Sequence, residues 1–543
     1  MKRREFVKLT GTASALGLMP FQVQASLKLA NRFMNCDFSN RKLVLIELSG
    51  GNDGLNSVIP LNVYSEYQAL RPNIHIPPAL YLPMSTIDSS LVGTNQDIAL
   101  HPALAEFQSL YDQDQLRIIQ SVGYPLQNKS HFASKDIYAT GNDGSNWANG
   151  NSSGWIGRFM EQHYDQFIPT TFPLGIQIGS PNLNLGFHGV IEHGLAININ
   201  GQDAENFYSV LSGLAGDAPN NIPNSHYGTE LHYIINTDAL SNQYSASISN
   251  AFNAGMNLAA YPDTNLANQL KTVARLIRGN MQSKVYLVTL GGFDTHNEQN
   301  QASGDILGTH HELLGQLSEA VSAFMQDLNA DSAGQDVVGL TFSEFGRKAK
   351  ENGSLGTDHG EVAPMFVFGN PVRSGISGVN VDLSEATTDN NYQVETVQFD
   401  YRAIFATLFQ DFLGATDTQI DNTFLENSTQ NSFTETKISE LIKETYKVAP
   451  ECFNESLSND DPIKGTWSVF PNPFQETIHV MSDRPELETA YELRNQLGQL
   501  VMKGKLNFTN AKAQIISDQI SSGFYILTLK NGVETSVHKL IKP

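Results

Sequence analysis

The chain has 543 residues, of which 17% are charged and 40% hydrophobic, enough for a sizeable packed core and for three or four domains at roughly 150 residues each. Its 34 Lys and Arg against 56 Asp and Glu leave a formal charge of −22. That balance excludes a nucleic-acid footprint and disfavours long-range steering of anionic substrates, so phosphate or sulfate chemistry would need a local positive centre.

Two cysteines, Cys36 and Cys452, are too few for a disulfide scaffold or a Cys-based zinc site, and whether they pair is not legible. The N-terminus carries Lys2, Arg3 and Arg4, then a short apolar stretch, then Val23-Gln24-Ala25 as a small-x-small cleavage site. Arg3-Arg4-Glu5-Phe6-Val7-Lys8 resembles a twin-arginine export signal, which makes 1–25 the expected leader. An ordinary secretory signal with two chance arginines is the alternative. The resemblance implies the twin-arginine translocase as a partner and a metal or cofactor loaded before export. No other run of about 18 apolar residues exists, so no transmembrane helix is expected.

Residues 40–428 are expected to form one α/β domain. The run at 42–48 is nearly continuous in apolar residues, as in a strand buried on both faces. Similar runs recur at 116–122, 284–290 and 337–342, and each ends in a glycine-rich or polar loop. Between them lie helical patterns, such as 312–328 with its apolar stripe. This alternation predicts a mostly parallel sheet sandwiched by helices, with ligands beyond the carboxyl ends of the strands. Residues 141–154 and 200–229, rich in Asn, Gly and Ser, read as surface insertions. Residues 429–465 read as a helix followed by a linker. From 466 to 543, short alternating strands at 477–480, 491–493, 499–502 and 524–529 predict a small C-terminal β-sandwich.

Four polar clusters sit at strand ends. Asp53 lies in Gly50-Gly51-Asn52-Asp53-Gly54, where a carboxylate can hold a cation or simply make an Asx-turn. Phe293-Asp294-Thr295-His296 offers carboxylate and imidazole two residues apart, a common Zn²⁺ or Mn²⁺ mixture. Thr357-Asp358-His359-Gly360 offers a second such pair; the alternative is an Asp that orients its neighbouring histidine in a turn. Lys129-Ser130-His131-Phe132 opens a predicted helix, so Ser130 is either an N-cap or, beside a metal, a nucleophile.

The order Asp53, Ser130, Asp294/His296, Asp358/His359 resembles the alkaline phosphatase superfamily. The blocks LVLIELSGGNDGLNSVIP, LHPALAEF, KSHF, GGFDTHNEQ, FSEFGRKAKENGSLGTDHG and FDYRAIFATL are similar, in order, to those of the DUF1501 proteins, over most of 40–415. The resemblance implies a metal-dependent hydrolase of phosphate or sulfate esters. Asp53, Asp294, His296, Asp358 and His359 would hold Zn²⁺, Mn²⁺ or Ca²⁺, Ser130 would attack, and Arg347 would clamp the anion or else pair with Glu344. The rival is a non-catalytic surface protein that binds metal or glycan. A late histidine ligand is missing, since only His479 and His538 follow His359. A second metal is therefore in doubt unless His101, His131, His310 or His311 substitutes; His310 and His311 are expected at a helix start. Lys129 stands where arginine is commoner.

Val469-Phe470-Pro471-Asn472-Pro473-Phe474, then Ser522-Gly523-Phe524-Tyr525-Ile526-Leu527, then Lys539-Leu540-Ile541-Lys542 resemble the C-terminal sorting domain of type IX secretion cargo. A generic carbohydrate-binding or immunoglobulin-like module is the alternative. The resemblance implies the type IX machinery as partner, and a secreted or cell-surface protein reached through the periplasm.

Overall fold

The computed structural model describes residues 40–84, 89–145, 153–164, 172–179, 184–189, 195–197, 244, 247–425, 435–448, 467–470, 474–482, 488–495, 499–509, 512–517, 519–531 and 535–542. The leader at 1–25, Cys36, Cys452 and the insertion at 200–229 lie outside the described residues, as do 146–152 of the insertion at 141–154. The chain divides into two units, residues 1–453 and 454–543.

In the first unit, apart from a small three-stranded sheet of Val58–Pro60, Leu82–Pro83 and Ile98–Leu100, the strands among the described residues are Lys42–Ser49 (β1), Leu116–Gly123 (β2), Gly175–Ile178 (β3), Leu195–Ile197 (β4), Val285–Gly291 (β5), Val337–Phe342 (β6), Arg347–Glu351 (β7), Thr357–His359 (β8), Ala363–Phe368 (β9), Gly375–Ser377 (β10) and Phe399–Asp400 (β11). Nine of them among the described residues form one sheet, ordered β10-β2-β9-β6-β1-β5-β3-β4, with β11 beside β2. β1 pairs in parallel with both β5 and β6. β9 alone in this sheet runs antiparallel, wedged between β2 and β6. The sheet is thus mostly parallel, and β1, β2, β5 and β6 all end at one edge.

Alternate side chains of β1 enter two separate cores, as the two-residue period of a strand requires. Val44, Ile46 and Leu48 pack with Leu270, Val273, Leu314, Leu317 and Phe324. These come from helices Asn265–Arg278 (α1) and Thr309–Asn329 (α2). Leu43 and Leu45 pack with Ile137, Phe159, Ile404 and Phe405 on the other face. Each such fully buried side chain is worth about 1.5–3 kcal/mol of transfer free energy. The helix that leads to the site, His131–Thr140 (α3), belongs to this second face and ends at Gly141 in the left-handed conformation (φ 69°). β7 and β8 form a separate antiparallel hairpin in which Arg347 stands opposite His359.

The helix expected at the start of 429–465 does not form over 435–448. That stretch runs as turns and one bridge, Val372 to Ile442. Ile438, Leu441 and Ile442 are buried in the second core, so burial of these apolar side chains overrides local helical preference.

The second unit holds two antiparallel sheets among its described residues. One contains Trp467–Phe470, Thr477–Ser482 and Lys512–Ile516; the other contains Thr489–Asn495, Leu500–Leu506, Gly523–Lys530 and Thr535–Lys542. Ile478, Val480 and Ile515 from the first meet Leu493, Leu527, Leu529 and Leu540 from the second in one core, which makes a small β-sandwich. Phe474 is buried against Tyr525, and its amide donates to Ile541 O at 2.8 Å, tying the opening motif to the last strand.

Candidate metal centre

The loops after β2, β5 and β6 and the β7–β8 hairpin meet at the carboxyl edge of the sheet. After β5 the chain passes through Gly292 (φ 107°) to Asp294. Gly50, after β1, packs so closely that a Cβ there would stand 2.3 Å from the Asp294 amide nitrogen. Only glycine allows that approach at its φ of 125°.

Asp294 Oδ1 lies 3.2 Å from His296 Nε2 and 3.2 Å from His359 Nε2, and Oδ2 lies 3.5 Å from His131 Nε2. The two nitrogens His296 Nε2 and His359 Nε2 are 3.0 Å apart. His131, Asp294 and His359 form the one group of three metal-ligating side chains found among the described residues, with ligand atoms all within 4.8 Å. Ligands about 2.0–2.1 Å from a tetrahedral Zn²⁺ stand about 3.3 Å from each other. The observed separations bracket that value.

Each ring is oriented by its other nitrogen. His359 Nδ1 faces Lys129 O at 2.8 Å, and a carbonyl can only accept, so Nδ1 carries the proton. His296 Nδ1 donates to Asp358 Oδ1 at 3.1 Å, and His131 Nδ1 to Glu344 Oε1 at 2.8 Å. In the neutral rings, all three Nε2 atoms therefore present lone pairs toward Asp294. Burial pulls the His359 pKa below its ordinary value, which favours this neutral ligand form. Two lone pairs facing each other at 3.0 Å repel unless a cation or a proton lies between them. The donor set fits a divalent metal on that ground.

Asp294 is ready to serve as the anionic member. Partial burial works against its charge, but Arg347 donates from Nη2 to Oδ1 at 2.7 Å and is the main group that holds the pKa at about 2. Its side chain is 47% exposed, so the centre opens to solvent.

Several expected residues occupy other roles. Arg347 is not an anion clamp with a free face. Its guanidinium is buried and donates to Gly51 O (2.8 Å), Thr357 O (3.0 Å), Phe293 O (2.9 Å), Gly50 O and Asp294. It does not pair with Glu344, whose two oxygens instead accept from the Gly50 amide at 3.0 and 3.1 Å. Asp358 stands behind His296 rather than in the ligand set; its Oδ2 meets Lys348 Nζ at 3.2 Å. Consecutive residues of β8 point to opposite sides, so Asp358 and His359 cannot turn the same way.

Asp53 is the largest departure. It is fully buried, and Oδ2 accepts from Arg71 Nη1 at 2.6 Å and Gln299 Nε2 at 2.5 Å. Burial alone would raise its pKa, but Arg71 reverses this and holds it below the usual carboxylate value. A guanidinium thus takes the place expected of a metal ion at this strand end. Ser130 sits at the N-cap position of α3 with an extended backbone and makes no side-chain capping bond. It is exposed, one residue from His131 and next to Lys129, whose carbonyl orients His359. His310 and His311 lie in the first turn of α2, and ring contacts join them to His101 in a separate group, in which His101 and His310 are buried. Sequence reasoning left His131 as a spare histidine and Glu344 as an arginine partner. Their pairing across 213 residues has no local signature.

Fold and site together define an α/β protein with a carboxylate–imidazole centre at the sheet edge and a C-terminal β-sandwich. Residues 242–412 match the family described as "Protein of unknown function (DUF1501)", and residues 468–543 match the "Secretion system C-terminal sorting domain". The first span contains Asp294, His296, Glu344, Arg347, Asp358 and His359; Asp53 and His131 lie before it. The second marks the protein for secretion or the cell surface by the type IX machinery. Among the described residues, no helix is long and apolar enough to cross a membrane. No curated protein matches the chain. Among solved structures, a protein in the alkaline phosphatase superfamily from Vibrio parahaemolyticus is 8% identical, over 92% of this chain and 78% of that one, with a TM-score of 0.29. A sulfatase from Pseudoalteromonas sp. is 9% identical over 93% and 91%, with a TM-score of 0.32. An immunoglobulin-like β-sandwich protein from Bacteroides vulgatus is 12% identical, over 15% of this chain and 87% of that one, with a TM-score of 0.14.

Proposed function

We propose that the protein is a secreted metal-dependent hydrolase of phosphate or sulfate esters, centred on Asp294, His296, His359 and His131. The observation that carries this reading is the set of imidazole Nε2 atoms turned toward one carboxylate, each ring locked by an acceptor at Nδ1. Such outer partners fix tautomer and ring orientation in metal sites. Mixed nitrogen and oxygen donors favour Zn²⁺ or Mn²⁺ over Ca²⁺, which prefers oxygen throughout.

A divalent cation bound here supplies Lewis acidity toward an ester oxygen and lowers the pKa of a bound water or hydroxyl. The chain's own residues do the rest. Asp294 stays ionised across neutral pH. Ser130 offers a hydroxyl free of any capping bond at a helix N-terminus, where unpaired amides favour developing negative charge. Lys129, whose side chain is 40% exposed and pairs with Glu361 at 2.6 Å, is the cation at the rim that an anionic group would meet.

One observation favours the rival, a metal-binding surface protein without catalysis: Arg347 spends its donors on loop carbonyls and Asp294, so among the described residues no free guanidinium faces the centre. Metal analysis of protein folded in the cytoplasm, followed by assay on aryl phosphate mono- and diesters and aryl sulfates, separates the two. Stoichiometric Zn²⁺ or Mn²⁺ with turnover that His359→Ala abolishes supports the hydrolase. Metal without turnover supports the binding protein. Absence of metal sinks both.

A further inference from the structure

We propose that Arg71, Asp53 and Gln299 form a buried clamp that holds the His296 loop against the His359 strand and so sets the metal affinity of the surface centre. The inference rests on the metal reading above only for its last step.

Asp53, Arg71 and Gln299 are all fully buried, yet none of them belongs to the apolar cores. Arg71 sends its remaining donors to Ala349 O (2.8 Å), Lys348 O (2.8 Å) and Asn56 Oδ1 (2.7 Å). It thereby grips the backbone of β7, which carries β8 and His359. The same Asp53 oxygen, Oδ2, that meets Arg71 also accepts from Gln299 Nε2 at 2.5 Å. A carboxylate offers no donor, so the Gln299 amide has one allowed orientation: NH₂ toward Asp53, Oε1 away. Oε1 then accepts from Thr295 Oγ1 at 3.1 Å and Thr357 Oγ1 at 3.0 Å. Thr295 is the residue before His296, and Thr357 stands two before His359 in β8. The Thr357 amide also donates to Thr295 O at 3.1 Å. One amide oxygen therefore pins both ligand-bearing segments, and one buried ion pair fixes which way that amide faces. A ligand separation of 3.0 Å between His296 and His359 depends on this registration.

Two measurements test the clamp. The first needs no metal: hydrogen exchange of the apoprotein, comparing wild type with Gln299→Leu. Exchange at the amides of 294–300 and at Thr357 should rise by at least tenfold, with amides of β1 and β5 unchanged. The second is Zn²⁺ affinity by competition with a chromophoric chelator, with the visible spectrum of the Co²⁺ form as a check on geometry. Gln299→Leu should weaken Zn²⁺ by at least tenfold, within the range usual for outer partners of ligands. Thr357→Val should weaken it less, and Thr357→Ser, which keeps the hydroxyl, should restore it. Exchange unchanged in Gln299→Leu overturns the clamp. Faster exchange with Zn²⁺ affinity within twofold of wild type leaves a purely structural network and overturns the stated consequence. Failure of the metal reading shows separately, as a wild type that binds no Zn²⁺, and leaves the exchange result to decide the clamp.

Discussion

Asp53 and Asp294 look alike in sequence. Each follows a buried parallel strand and a glycine turn, and each pairs with an arginine, at 2.6 and 2.7 Å. Their surroundings diverge completely. Asp53 is sealed; its Oδ2 meets Arg71 and Gln299, and its Oδ1 has no hydrogen-bond partner among the described residues. Asp294 is half-exposed, and its free faces look at three imidazole nitrogens. An arginine beside a carboxylate therefore does not decide its use. What decides it is what the carboxylate has left over: one has only a scaffold to hold, the other has neutral lone pairs beside it. The first is a fixed charge pair, the second a place for a mobile cation.

The largest effect expected from this contrast follows removal of the buried cation. Arg71→Met leaves Asp53 charged, buried and unpaired, and should destabilise the fold by about 3–5 kcal/mol in urea unfolding. Adding Asp53→Asn to it should recover a good part of that loss. If Arg71→Met unfolds like wild type, the pair is not the anchor described.

The second effect is pH dependence confined to the buried side. His310, fully buried against Asn52 and near Asp53, has its pKa pushed by burial from the usual 6.5 down to about 4. The unfolded chain then binds a proton that the folded chain refuses. Its contribution is complete above pH 6.5 and is lost as pH falls from there through 4, about 3 kcal/mol in all. His310→Gln should flatten this part of the stability profile. Asp294, with its pKa near 2 in the folded chain, has a loss of its own that lies lower, as pH falls through 3.8 toward 2. An unchanged profile in His310→Gln would remove the distinction.

How much of this could be read beforehand follows from locality. The strands at 42–48, 116–122, 284–290 and 337–342 were legible because burial on both faces writes a continuous apolar run. β9 is equally apolar, but nothing in such a run records direction, so its antiparallel insertion between β2 and β6 had no sign. Asp294, His296 and His359 were legible because they follow strand ends that a parallel sheet must gather. Asp53 had the same signal, and its partner Arg71 lies 18 residues on, where no motif announces it. Asp358 lies beside the same histidines, but the alternation of its strand turns it behind His296. Glu344 and His131 meet only through the fold.

The third effect sharpens the exposed half of the comparison. Glu344 orients His131 through Nδ1 while holding the Gly50 amide. Glu344→Gln keeps an acceptor but loses the charge that makes the ring a better donor of electron density. Zn²⁺ affinity should fall by about tenfold with the fold retained. A change below twofold would place His131 outside the ligand set and leave Asp294, His296 and His359.

The smallest effect on folding is expected at Ser130, and it is informative because it is small. A serine that caps its helix contributes about 1 kcal/mol through a side-chain bond to an amide of the first turn. Ser130 makes no such bond, and its own amide is held instead by Asn128 Oδ1 at 2.9 Å. Ser130→Ala should therefore shift stability by less than about 0.5 kcal/mol, below the usual cost of losing a cap. A hydroxyl exposed at a helix start, without a capping bond and next to His131, is accessible for the attack proposed above. If the protein turns over any aryl phosphate or sulfate, the same substitution should reduce the rate by more than tenfold, about 1.4 kcal/mol of barrier, against nearly unchanged urea unfolding. A variant that loses a full kilocalorie of stability and keeps its rate would return Ser130 to the role of a helix cap and leave attack to a water at the centre.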